Sequence, residues 1–238
     1  GFDFDRGRVD VSVHPFWGGG HPTDVRITTR HRSESFIDSL FAVIHETGHG
    51  LYEQGRMSGF MDLPVSESLT MAIHESQSLF WERMIAQNFY FCDYYLNLFV
   101  ETFPEALQGV SSDKLYAAIN RCDPSFIRVE ADEVTYPLHI MLRFNLEKML
   151  INKTLRTKDI PEIWNEEYKK LFGIDVDNEA NGCLQDIHWY AGLIGYFPTY
   201  SLGALISAQF ANALRNKLPQ LDEEIEYGNF KPLINWLQ

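Results

Sequence analysis

The chain has few cysteines, a deficit of positive charge and no long apolar run. Cys92, Cys122 and Cys183 are its 3 cysteines, far apart and without a C-x-x-C pair. This excludes a disulfide framework and a thiolate metal site and points to a reducing compartment, so a cytoplasmic location is expected. Lys and Arg number 20 against 33 Asp and Glu, a formal charge of −13. Such a surface repels phosphate backbones and anionic headgroups, which removes nucleic acid from the expected partners. No stretch approaches the roughly 18 uninterrupted apolar residues of a membrane span. The N-terminus also lacks a charged-then-apolar signal pattern, so a membrane is not an expected partner either. There is no internal repeat, low-complexity tract or linker.

What is present suffices for a core: 238 residues, 45% of them apolar, bury one sizeable interior or two small ones without staples. Gly1 in place of Met, and an end at Gln238 inside the apolar run Leu233-Ile234-Asn235-Trp236-Leu237, read as cuts through a larger protein. Residues 1–238 are therefore expected to be a single catalytic domain, the C-terminal portion of a longer chain.

The hydrophobic period changes along the sequence. Val9, Val11 and Val13, then Val25 and Ile27, alternate with polar residues and predict two short strands forming an antiparallel pair, with His14-Pro15-Phe16 and Gly18-Gly19-Gly20 in the connection. Phe36, Ile37, Leu40, Phe41, Ile44 and Leu51 recur at helical spacing, with Ser35 and Asp38 as a capping box and Gly55 as the stop. They predict a helix of about five turns. A second helix is predicted from near Ser66, after Pro64, through Met84. Further helical segments are read around Ser112–Asn120, Tyr136–Asn152, Pro161–Phe172, Asp186–Ile194 and Leu202–Lys217. The expected fold is mainly α, with a small antiparallel β element near the N-terminus.

The strongest chemical signal is His45-Glu46-Thr47-Gly48-His49. Residues four apart project from one helix face, one turn apart, so two imidazoles can grip one ion. Catalytic zinc takes three protein ligands and leaves a position for water, so a further carboxylate is required. Glu75, in His74-Glu75-Ser76-Gln77 on the next predicted helix, is the best candidate; His74 and Glu67 are weaker alternatives. Zinc lowers the pKa of water and polarises a carbonyl, and Glu46, beside the histidine face, is placed to act as general base. The bland reading, a satisfied pair of core histidines, would leave two imidazoles to be buried beside an apolar stripe without partners. Gly48 costs roughly 1 kcal/mol in a helix interior, which predicts close approach of another backbone or of substrate. Tyr200, Tyr196, Tyr136 and His14 are candidate stabilisers of a tetrahedral intermediate by residue type.

Six short blocks in fixed order make the chain resemble the carboxypeptidase Taq family of metallocarboxypeptidases. They are His14-Pro15-Phe16, Asp24-Val25-Arg26-Ile27-Thr28, the His45–His49 motif, His74-Glu75-Ser76-Gln77, Ile127-Arg128-Val129-Glu130-Ala131-Asp132 and Gly182-Cys183-Leu184-Gln185-Asp186-Ile187-His188-Trp189. The resemblance implies a zincin-like helical metallopeptidase with a deep groove, releasing single residues from peptides with a free C-terminus, often as a homodimer. It also implies His45, His49 and Glu75 as metal ligands and Glu46 as base, in agreement with the spacing. Zinc is the expected metal, with cobalt or manganese possible at the same ligands. Leu79 stands where the family has a basic residue.

An exopeptidase must hold a terminal carboxylate, and a guanidinium fork does so with two parallel hydrogen bonds. Arg128 is the first candidate, its alternative being an ion pair with Glu130, Asp132 or Glu133. Arg26 is the reserve, with a structural pair to Asp24 or Asp10 equally expected. His14 is a candidate for contact with the scissile carbonyl. The Gln185–Trp189 block is read as mainly structural, with Asp186 capping a helix or, with His188, orienting a metal-binding histidine. Two rival functions stay open: a zinc endopeptidase with the same metal site, and a non-catalytic helical metal-binding or interaction domain.

Overall fold

The computed structural model describes residues 1–31, 35–56 and 58–238. The chain gathers into two compact units: Gly1–Ile119 with Leu202–Gln238, and Asn120–Ser201. Among the described residues no helix is long and apolar enough to cross a membrane.

The first unit opens with three strands, β1 (Gly7–Val11), β2 (Trp17–His21) and β3 (Asp24–Thr29), in the order β1-β3-β2. The expected antiparallel pairing of the two valine-rich runs is wrong: β1 lies parallel to β3, with Val9 opposite Ile27. The antiparallel partner is β2, the glycine run read as a connection. Its glycines are what permit this. Gly19 has φ +131°, and a Cβ there would come within 2.1 Å of the Asp24 carbonyl oxygen, so the irregular register between Gly18 and His21 needs a residue without a side chain. Val25 and Ile27 face inward, whereas Val9, Val11 and Val13 are exposed.

Helix α1 (Phe36–Gln54) starts as the sequence predicts, with Ser35 Oγ accepting from the Asp38 amide at 3.3 Å, and ends at Gly55. It packs on β3 and on α2 (Met71–Leu79). The second helix begins later than expected, because Pro64–Ser66 forms a separate 3-10 turn. Beyond α2 the ladder widens into a π-helical stretch, Phe80–Ala86, a feature that is rare and concentrated at functional sites. Helix α3 (Phe89–Thr102), capped by Asn88 Oδ1 on the Tyr90 amide, is followed by α4 (Pro104–Leu107) and α5 (Ser112–Ile119). Its aromatics surround the helix, so no single apolar face announces it.

The second unit holds α6 (Tyr136–Ile151) and α7 (Ile160–Phe172), packed around Leu142, Leu146, Trp164, Tyr168 and Phe172. Asp186–Ile194, expected to be helical, is a series of turns, with Gly192 (φ +73°) and Gly195 (φ +79°) in left-handed conformation. Helix α8 (Pro198–Lys217) starts in this unit and runs into the first, where α9 (Leu221–Glu226) and α10 (Lys231–Leu237) complete a core of Phe80, Trp81, Ile85, Leu214, Leu221, Ile225 and Leu233.

Candidate metal centre

Helices α1 and α2 cross very closely in the first unit. A Cβ on Gly48 would lie 2.6 Å from Ser78 Cα and 2.7 Å from the Gln77 carbonyl oxygen, so the α2 backbone occupies the space that any other residue at Gly48 would fill. This is the close approach that the mid-helix glycine predicts, and it brings Glu75 against the two histidines. One donor atom each from His45, His49 and Glu75 lies within 4.8 Å of the others. Glu75 Oε2 is 3.5 Å from His49 Nε2 and 3.8 Å from His45 Nε2.

These residues fit a tetrahedral divalent cation. Two donors each about 2.1 Å from such an ion lie about 3.4 Å apart, close to the two separations observed. Both rings turn Nε2 inward and use Nδ1 elsewhere: His45 Nδ1 meets Glu82 Oε2 at 2.7 Å, and His49 Nδ1 meets His74 Nδ1 at 2.6 Å. The electrostatics also favour a cation. Burial alone would lower the His45 pKa, but Glu75 and Glu82 outweigh it and raise the ring to about 10. Burial would raise Glu75, but His45 and His49 hold it down at about 2. Glu46 is different: burial, reinforced by Glu75 and Glu82, lifts its carboxyl to about 7. Its Oε2 is buried with no hydrogen-bond partner among the described residues, so an acceptor waits beside the cluster without belonging to it.

The chain matches the carboxypeptidase Taq (M32) metallopeptidase family over residues 1–238. It belongs to that family. It is 43% identical over 237 residues to carboxypeptidase 1 of Bacillus subtilis, covering 100% of this chain and 47% of that protein. Metallocarboxypeptidase 1 of Trypanosoma cruzi superposes with a TM-score of 0.93 at 41% identity, covering 98% of this chain and 49% of that one. A carboxypeptidase of the same family from Deinococcus radiodurans gives 0.95 at 38% identity, covering 99% and 48%. The chain thus spans about half the length of the curated relatives it matches.

The other candidates from the sequence stand outside the three converging donors. His74, the alternative ligand, has both ring nitrogens engaged, Nδ1 with His49 and Nε2 with Glu53 Oε1 at 2.9 Å. Glu67 is exposed outside the cluster. His14 is exposed in the β1–β2 connection, its carbonyl accepting from Ser12 Oγ. Arg26 is exposed and makes a two-point pair with Asp24, at 2.9 and 2.8 Å, the structural alternative expected for it.

In the second unit Arg128, Tyr136 and Tyr200 come together. Arg128 is buried and donates from Nε and Nη2 to Asp186 Oδ1 and from Nη1 to the Tyr136 hydroxyl. Its guanidinium lies 4.8 Å from the centre of the Tyr200 ring, and the Tyr200 hydroxyl meets His188 Nε2 at 2.9 Å. The ion-pair partner is Asp186, not Glu130, Asp132 or Glu133. Asp186 therefore neither caps a helix nor orients a metal-binding histidine: its second oxygen takes Arg143 Nε at 2.6 Å. Trp189 packs as expected and donates from Nε1 to Glu147.

Four residues in contact with the cluster or with His74 escape the sequence reading: Glu82, Glu53, Trp17 and Gly203. Glu82 had a signal, since it follows Glu75 by two helical turns and so shares its face. Trp17 directly follows the His14-Pro15-Phe16 block but belongs to a run that reads as loop. Gly203 had none, because it comes from a helix remote in sequence.

Proposed function

We propose that the protein is a zinc-dependent metallocarboxypeptidase that releases single amino acids from peptide C-termini. The observation that carries the reading is the convergence of His45 Nε2, His49 Nε2 and a Glu75 oxygen, with the partnerless Glu46 oxygen beside them. Three ligands leave a coordination position open, as hydrolytic zinc requires. When bound, the metal supplies Lewis-acid polarisation and an acidified water. Glu46 performs the proton work: its carboxylate takes the proton of the attacking water and returns it to the departing amine. A carboxyl group lifted to about 7 by burial suits both halves of that task.

Arg128 is proposed to hold the terminal carboxylate. Two guanidinium groups, of Arg128 and Arg143, share the single carboxylate of Asp186, so the cluster carries an excess positive charge that favours an anion. Arg128 makes three hydrogen bonds here out of five N–H donors, so two remain for a carboxylate. Tyr200, whose ring lies against that guanidinium, is proposed as a hydroxyl that stabilises the tetrahedral intermediate.

The test is mass spectrometry of one peptide, as free acid and as C-terminal amide, incubated with zinc-loaded protein with and without chelator. A ladder of single-residue losses from the free acid alone, stopped by chelator, is expected. Internal fragments from both forms would make the protein an endopeptidase and remove the role given to Arg128.

The same reading makes a prediction for Gly203. A Cβ there would lie 2.8 Å from both Cβ and Cγ of Glu75, at the base of the side chain where rotation gives no relief. Gly203→Ala is expected to displace Glu75 and weaken zinc binding by about 10- to 100-fold, the range for disturbed support of a ligand. A competitive chelator titration measures this, and unchanged affinity would show that α8 does not set the position of Glu75.

A further inference from the structure

We infer that His74, Glu53 and Arg56, with Trp17 as a lid, form a positioning relay that fixes the ring and the tautomer of His49. The inference rests on the reading of His49 as a metal ligand through Nε2. It follows from where hydrogen atoms can be. His49 Nδ1 and His74 Nδ1 are 2.6 Å apart, so one nitrogen donates and the other accepts. His74 Nε2 is 2.9 Å from Glu53 Oε1, and a carboxylate oxygen can only accept. A neutral His74 carries one ring proton, which must then be on Nε2, leaving Nδ1 as a lone pair. His49 must therefore carry its proton on Nδ1, and its Nε2 lone pair is the one turned towards Glu75 Oε2.

The opposite arrangement fails at both ends. A proton on His74 Nδ1 would leave its Nε2 lone pair facing the Glu53 oxygen. It would also force the His49 proton onto Nε2, where no cation could be bound. A doubly protonated His74 would satisfy Glu53 but still turn the His49 proton inward.

The rest of the surroundings holds this order in place. Burial would make Glu53 a weaker acceptor, yet the hydrogen bonds from His74 and Arg56 keep its carboxyl below the usual range. Arg56 Nη1 donates to Glu53 Oε2 at 2.9 Å, and Arg56 Nε donates to the Ser66 carbonyl, tying the relay to the 3-10 turn before α2. The His74 ring cannot rotate out. The Trp17 indole stacks on it at 4.0 Å and 13°, and the Tyr52 ring meets it edge-on at 5.0 Å. Trp17 is delivered by β2, whose pairing places it opposite Ile27, so the small sheet has a task at the centre: it closes the slot around His74.

His45 is oriented differently, by the single carboxylate of Glu82. A direct carboxylate makes an imidazole more basic, whereas a neutral imidazole acceptor orients it with less donation. The two histidine ligands are thus not equivalent despite their symmetrical motif.

Two measurements test this. Ring nitrogen–proton correlation NMR on the wild-type protein is expected to show His49 protonated at Nδ1 and His74 at Nε2; a proton on His74 Nδ1 overturns the relay. Zinc affinity by chelator competition is expected to fall about 10- to 100-fold in His74→Leu. His74→Asn, whose Oδ1 can replace the Nδ1 acceptor, is expected to recover most of that loss. The thermal midpoint of the metal-free protein separates lost packing from lost positioning. Equal zinc affinity in His74→Leu and wild type would overturn the relay while leaving the metal site standing. A wild type that binds no zinc would instead overturn the metal site, and the NMR result would still decide the hydrogen-bond order.

Discussion

Glu46→Gln should lower kcat by about 10²- to 10⁴-fold, the contribution typical of a positioned general base, while zinc content and KM stay near their wild-type values. The expectation combines three features. Glu46 lies next to a proposed ligand but is not among the three donors that converge. Its Oε2 has no partner within the described structure, so glutamine leaves no broken hydrogen bond behind. The substitution keeps the shape and removes the ability to take a proton. Metal analysis beside the kinetics makes the result decisive: if zinc is lost together with rate, Glu46 is a ligand, and if the rate survives, the base is another group. Failure to cleave the peptide in either form would leave a metal-binding domain or a part of an enzyme that does not cut by itself, since the chain spans about half the length of its relatives.

The second large effect concerns stability and belongs to the other unit. Asp186→Asn should cost about 3–5 kcal/mol at neutral pH, the range for breaking a buried ion pair and leaving its partners uncompensated. The asparagine would face two guanidinium groups, of which Arg143 is fully buried and Arg128 nearly so. The pH dependence has a definite sign. Burial would raise the Asp186 pKa, but Arg143 and Arg128 outweigh it and hold it below the usual carboxylate range. A carboxyl depressed in the folded state stabilises above its unfolded value, about 3.9, and that stabilisation disappears as pH falls through the folded value. The difference between wild type and variant, followed by urea unfolding, should therefore be full at pH 7 and shrink below about pH 4. Asp24→Asn, at the exposed pair with Arg26, is the control and should be nearly silent, because solvent screens that pair. Equal effects at the two sites would mean that the Asp186 cluster is not a buried support.

The sequence by itself determined the histidine pair of the cluster, because that pairing is local. His45 and His49 are four residues apart on one helix, and their common face follows from 3.6 residues per turn. The cap at Ser35, the stop at Gly55 and the helices α5 to α8 are likewise set by neighbours in the chain. Glu75 was legible because the next helix offered a carboxylate that a loop between the two helices could bring opposite the histidines, and Gly48 because a glycine inside a helix needs a reason.

Tertiary structure alone decided what depends on strand order and on residues distant in sequence. The conversion of a glycine run into the antiparallel edge β2 needs a backbone conformation at Gly19 that a hydropathy pattern does not encode, and the parallel register of β1 and β3 is a pairing that alternation alone does not specify. Asp186 reads as a helix cap locally, yet the desolvation of Arg128 and Arg143 around it makes it a buried counter-ion, and the chain gives up the helix at that segment. The change of His74 from candidate ligand to second-row acceptor has the same origin. Its two nitrogens face His49 and Glu53 only because α1 and α2 cross at Gly48, and a hydrogen bond 25 residues long in sequence leaves no periodic mark on the chain. Periodicity reports which face of an element is buried; which group meets it there is fixed by packing.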